Sequence, residues 1–161
     1  TYVYLAKVWK DIINKETGKK QRKLFPFMNL LFAYMTEQEA EKYVRHSEMS
    51  QYTTYYYNHF LTDENGYNPP LTVSFSDLKP LIKATSLLDE HVMEVDIKAC
   101  RFLSDDLVRI TDGPFKDITG RDARIAGQRR VVINIKDLQS GLTTAYIPSY
   151  CLEKVEKKES V

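Results

Sequence analysis

The stretch from Asp105 to Ile147 constrains the fold most. Leu107-Val108-Arg109-Ile110 alternates, Gly113-Pro114 turns, and Gly120 allows a sharp reversal. Ala123, Ile125 and Val131-Val132-Ile133-Asn134-Ile135 follow, with Gly127 as a turn between them, and after a loop ended by Gly141, Leu142 to Ile147 closes the series. Five short strands in about fifty residues, with no helix between them, predict a small closed β-barrel. The seam with the preceding region falls near Ile97 to Ser104, giving domains at 1–97 and 98–155 and a charged tail, 156–161, that is expected to fray.

The first region mixes strands with helices. Tyr2 to Trp9 and Lys23 to Tyr34 are rich in β-branched and aromatic residues, and Asn14-Lys15-Glu16-Thr17-Gly18 between them is a turn, so the pair predicts a hairpin. Thr36 caps a helix with Glu39 three residues on, and Ala40, Tyr43 and Val44 supply its apolar stripe. Tyr52 to Leu61 is aromatic-dense and reads as a strand, followed by the turn Asp63-Glu64-Asn65-Gly66. Pro69-Pro70 prevents a regular central strand. Ser76 is the expected cap of a second helix, with Leu78, Leu81, Ile82 and Thr85 inward and Pro80 as its fourth residue, where a missing N–H costs little. Together these predict an α+β sandwich with helices on one sheet face.

Composition narrows the function classes. The chain has 161 residues, 43% of them hydrophobic and 28% charged, which excludes wholesale disorder. Its formal net charge of +1 excludes binding by bulk positive charge. The charge is nonetheless uneven, for residues 1–25 hold seven basic groups against Asp11 and Glu16. That basic hairpin beside an acidic body is either a contact strip for a nucleic-acid backbone or a solvated turn. The longest apolar stretch, Leu24 to Met35, is too short for a membrane helix, and no signal-peptide pattern stands before it. Cys100 and Cys151 form neither a disulfide framework nor a metal set, so a reduced, cytoplasmic protein without membrane contact is expected. His46, His59 and His91 share no ligand spacing with the cysteines, the six glycines are scattered, and no nucleophile or paired-carboxylate motif is present. The expectation is a binding protein, not an enzyme, with no metal and no cofactor. Residue 1 is Thr and the chain opens in mid-strand, which implies a preceding segment.

Val108-Arg109-Ile110, Gly113-Pro114-Phe115-Lys116, Gly120 and the run Val131 to Ile135 resemble the KOW motif, carried by an SH3-like barrel. Upstream, a strand, a basic turn and Phe25-Pro26-Phe27-Met28-Asn29-Leu30-Leu31-Phe32-Ala33-Tyr34 resemble the second hairpin of the NusG N-terminal domain, and the helix, aromatic segment and Ser76 helix continue that order. Ala145-Tyr146-Ile147-Pro148 is similar to the specialised bacterial antitermination paralogues of capsule-operon regulation. The resemblance spans about Tyr2 to Val155. Three features depart from the family. Its opening Trp-Tyr strand and long helix are not in this sequence, Met28-Asn29 stands where many members have Pro-Gly, and Asp117 stands where Gly is common.

The resemblance implies a ferredoxin-like N-terminal sandwich followed by an SH3-like barrel, in a transcription elongation or antitermination factor that binds RNA polymerase. Phe27, Leu30 and Phe25 are the implied polymerase contacts, although alternation turns half of such side chains into a core. Lys19, Lys20, Arg22 and Lys23 would lie near DNA or nascent RNA, where flexible cations suit sequence-independent phosphate contact. Tyr52, Tyr55, Tyr56 and Tyr57 either stack on bases or line a half-buried strand. In the barrel, Phe115, Ile118, Arg129 and Arg130 would recruit a ribosomal protein or termination factor, and adjacent arginines in one strand reach opposite faces. The alternative class is a ribosome-associated KOW-domain RNA-binding protein, disfavoured by the low net charge.

Overall fold

The computed structural model describes residues 1–156; the rest of the expected charged tail, 157–161, lies outside the described residues. The chain opens as a long interrupted hairpin. β1 (Tyr2–Tyr4) pairs with β4 (Phe32–Tyr34), and β2 (Lys7–Ile13) pairs with β3 (Lys20–Pro26), all antiparallel. The Asn14 side-chain oxygen accepts from the amides of Glu16 and Thr17, and Gly18 takes a φ of 68° to complete the turn. Tyr2 faces Tyr34 whereas Lys7 faces Pro26, so three extra residues separate the two ladders on the returning strand. They are Phe27, Met28 and Asn29, wound into one 3-10 turn. The Phe27 N–H donates to the Ala6 carbonyl at 2.8 Å, which plants the ring in the core at 1% exposure.

Both predicted helices are present. α1 (Glu37–His46) starts on the Thr36–Glu39 capping box, but no residue in it is buried; Ala40 and Val44 are half-covered and Tyr43 is exposed. α2 (Phe75–Ser86) is capped by Ser74, not Ser76, because the Ser74 hydroxyl accepts from the Asp77 N–H and bonds its carboxylate. Pro80 is therefore its sixth residue, and the helix forgoes one interior hydrogen bond there. Leu81, Ala84 and Thr85 form the buried face, and Thr85 bonds the Tyr4 hydroxyl at 2.5 Å.

Tyr52 to Leu61 is not a strand. Its ladder ends at a single bridge, Tyr57 opposite Pro70, flanked by Asn58 N–H to Pro69 and Leu71 N–H to Tyr56. Pro69 and Pro70 have no N–H to return, so pairing cannot propagate.

β5 (Met93–Asp96), β6 (Arg101–Ile110), β7 (Thr119–Ile125), β8 (Gln128–Ile133), β9 (Ser140–Thr143) and β10 (Leu152–Lys154) form one antiparallel sheet, ordered β10-β6-β7-β8-β9-β5. The expected closed barrel is thereby corrected to an open sheet, for its edge strands β10 and β5 do not pair with each other. β5 also precedes the expected 97/98 boundary, yet Met93 to Asp96 run in register with Thr143 to Ser140. Gly120 lies inside β7 rather than at the expected sharp reversal: a Cβ there would sit 2.5 Å from the Val132 carbonyl oxygen, so only glycine lets β7 and β8 approach so closely.

One apolar cluster runs from Ala6, Val8 and Phe27 through Leu81, Ala84 and Val92 to Val108, Ile110 and Leu142. Polar ties follow the same path. The Trp9 indole N–H donates to the Leu88 carbonyl at 2.9 Å, the Asn58 amide to Asp137 at 3.0 Å, and Lys10 pairs with Glu94 at 3.0 Å. The molecule is α+β, and none of its described helices is long and apolar enough to cross a membrane.

Candidate functional site

The three expected apolar contacts separate. The 3-10 turn that inserts Phe27 into the core makes it interior rather than a contact residue, while Phe25 and Leu30 on either side stay half-buried. Met28 and Asn29, at φ 51° and 56°, take the left-handed conformation, which Gly would ease at 29 but the fixed negative φ of Pro would not allow at 28. The Met28 N–H donates to the Glu94 carboxylate at 3.2 Å, and the same carboxylate holds Lys10. The turn is thus fixed by the core on one side and an ion-paired carboxylate on the other.

The larger apolar surface lies next to this turn. On the β1–β4 ribbon Val3, 55% exposed, faces the exposed Ala33, and Leu31 is 53% exposed; Leu5 is open as well. Tyr2 and Tyr34 pair across the ribbon with ring centroids 6.4 Å apart. The sequence holds a signal for this surface. Tyr2-Val3-Tyr4-Leu5 and Leu31-Phe32-Ala33-Tyr34 are apolar at every position, the pattern of a strand covered on both faces, and here Val3 and Ala33 on one face and Tyr2 and Tyr34 on the other are exposed.

At the other end of the hairpin, strand alternation sorts the cations. Arg22 faces Asp11 at 3.1 Å and reaches Glu90 at 3.4 Å, so it is neutralised locally. Lys23 lies opposite Lys10 and Lys20 opposite Ile13, while Lys19 is in the turn. Among the described residues, Lys15, Lys19, Lys20 and Lys23 have no carboxylate within ion-pair distance, and all are exposed. The groove between this hairpin and β5, of about 400 Å³, is lined by Lys10, Arg22, Asp11, Glu94 and Asp96, so its charges offset one another.

The C-terminal candidates are also redistributed. Phe115 and Ile118 are buried, because Asp117 at φ 70° folds the Gly113–Ile118 loop back onto the sheet and the Ile118 N–H bonds the Phe115 carbonyl. Both are interior residues rather than a contact surface. Arg130 is buried too, and its guanidinium donates to the carbonyls of His91 and Thr144 and to Gln128; it braces the sheet instead of facing a partner. Arg129, on the opposite face as expected, pairs with Asp122 at 3.2 Å. Burial pushes the Asp122 carboxyl above its ordinary range, an effect Arg129 partly offsets.

The tyrosine cluster is mostly engaged within the protein. The Tyr55 hydroxyl donates to Glu41 at 3.2 Å and its ring meets Tyr57 edge-on, and Tyr56 meets His59 likewise. Burial and the Glu41 carboxylate raise the Tyr55 pKa. Tyr52 alone of the four is exposed. Compared with protein-family models, with curated proteins and with solved structures, the chain matches none.

Proposed function

We propose that this chain is a NusG-like transcription elongation and antitermination factor that binds RNA polymerase and suppresses pausing or termination. The observation that supports it best is the construction of the opening hairpin. One end, the β1–β4 ribbon, presents Val3, Ala33, Leu31 and the Tyr2–Tyr34 pair; the other end carries Lys15, Lys19, Lys20 and Lys23 with no acidic partner among the described residues. An exposed apolar ribbon suits a protein partner, and unpaired flexible cations suit a phosphate backbone. A hairpin holding both reaches a polymerase surface and the DNA or nascent RNA beside it at once.

In this reading residues 1–97 are the ferredoxin-like NusG domain and 98–155 the SH3-like KOW domain. The neighbour order β10-β6-β7-β8-β9 supports the latter, being five short strands adjacent in one antiparallel sheet, which β5 extends. The factor performs no chemistry and works in the cytoplasm. Binding the closed polymerase more tightly than the open one shifts that equilibrium toward elongation. Leu30 and Phe25 join the ribbon in the polymerase contact, and Phe27 supports them from beneath. Recruitment of a ribosomal protein or termination factor then falls to exposed residues of the C-terminal sheet, not to Phe115 or Ile118.

The test is read-through of an intrinsic terminator by purified polymerase with and without the chain. Read-through should rise with the parent protein and return to the polymerase-alone level with Val3→Asp plus Leu31→Asp, two exposed changes that leave the core intact. No rise with the parent, or an equal rise with the variant, would overturn the reading.

A further inference from the structure

The pairing register of the C-terminal sheet places three arginines side by side. Arg101 on β6 lies opposite Arg124 on β7, and Arg124 lies opposite Arg129 on β8. Directly opposed residues project to the same face, so the three form a row across adjacent strands spanning about 10 Å. Like charges in opposed positions destabilise a sheet. Among the described residues only Arg129 has a carboxylate partner, Asp122; Arg101 and Arg124 are exposed without one. Asp122 is itself buried and fixes the Arg129 end of the row.

An exposed tyrosine follows at the Arg129 end of the row along the backbone. The Ile147 N–H donates to the Arg129 carbonyl at 3.0 Å, and the preceding residue, Tyr146, is 55% exposed. Planar guanidiniums on an open sheet suit phosphates, and a neighbouring ring suits an unpaired base, whereas duplex bases are already stacked.

We infer that Arg101, Arg124 and Arg129, with Tyr146 at their end, form a binding strip for the phosphodiester backbone of single-stranded RNA, separate from the lysines of the opening hairpin. The strip does not depend on the polymerase reading, since it concerns the isolated chain and RNA alone.

The test measures binding of a labelled single-stranded RNA of about 16 nucleotides to the whole chain by fluorescence anisotropy across a salt series, beside thermal melting. Arg101→Gln with Arg124→Gln should weaken RNA binding about tenfold and lower the salt slope by about 1.4. Its melting temperature should stay level or rise, because repelling charges are gone. Arg124→Glu sets a carboxylate between two guanidiniums and should melt higher while binding RNA more weakly. Parent-like RNA affinity in both variants would overturn the strip, and so would a fall in melting temperature, which would make the arginines part of the fold. Complete loss of RNA binding in Lys19→Gln with Lys20→Gln and Lys23→Gln would also overturn it. Tighter binding of duplex DNA of equal length would overturn the single-strand assignment.

Discussion

Phe25 and Phe27 differ by two positions, and strand alternation alone would put both on one face. The 3-10 turn breaks that parity, so Phe27 is enclosed and Phe25 is not. Phe27→Ala should therefore cost about 3–5 kcal/mol of stability by urea unfolding, whereas a contact residue on the surface would cost almost nothing. Such a break is invisible to a period-2 reading, because it depends on what Ala6 and Glu94 offer the turn. Asp117, which stands where Gly is common in the family it resembles, and Ala126, which precedes Gly127, both take positive φ. Ala126-Gly127, both at positive φ, link Ile125 to Gln128 as a two-residue turn of the type that favours Asn-Gly. Ala126→Asn should thus raise stability by about 1 kcal/mol, read as a higher melting temperature. For Asp122 the folded carboxyl has a pKa above its unfolded value, so its contribution is favourable at low pH. That contribution is lost as pH rises from the ordinary aspartate range through the raised folded value. Asp122→Asn should remove this limb of the stability profile, so the variant gains on the parent as pH climbs to neutral; a constant difference across that window would contradict it.

At the scale of elements, local signals performed well where the element satisfies itself. The Thr36–Glu39 box, the Asn14 turn and the Asp63 turn each close their own hydrogen bonds within a few residues. One element that needs a distant partner was not legible. Tyr52 to Leu61 has strand composition, yet its neighbour is Pro69-Pro70, which cannot sustain a ladder. The second helix is capped by Ser74 because Asp77, three residues later, gives its N–H to the Ser74 hydroxyl and accepts from that hydroxyl with its carboxylate, whereas Lys79 stands three residues after Ser76. Ser74→Ala should cost about 1 kcal/mol and Ser76→Ala under about 0.5 kcal/mol in thermal unfolding; the reverse ranking would move the cap. The arginine row shows the same limit, since three residues scattered from 101 to 129 become neighbours only through register.

For the whole molecule, the sequence divides into two halves that the core does not respect. β5 precedes the expected boundary but extends the C-terminal sheet, and the apolar cluster is continuous from Ala6 to Leu142. The whole chain should consequently unfold in one calorimetric transition, and two resolved transitions would argue for independent units. What the hairpin contributes at this scale is a span from the exposed Val3–Leu31 surface to the cations around Lys19. The measurement that tests the central claim most directly is the affinity of core RNA polymerase for the whole chain, parent against Val3→Asp with Leu31→Asp. The account predicts saturable binding by the parent and a loss of at least about tenfold in the variant, with unchanged melting temperatures. Equal affinities, or no binding by the parent, would contradict it.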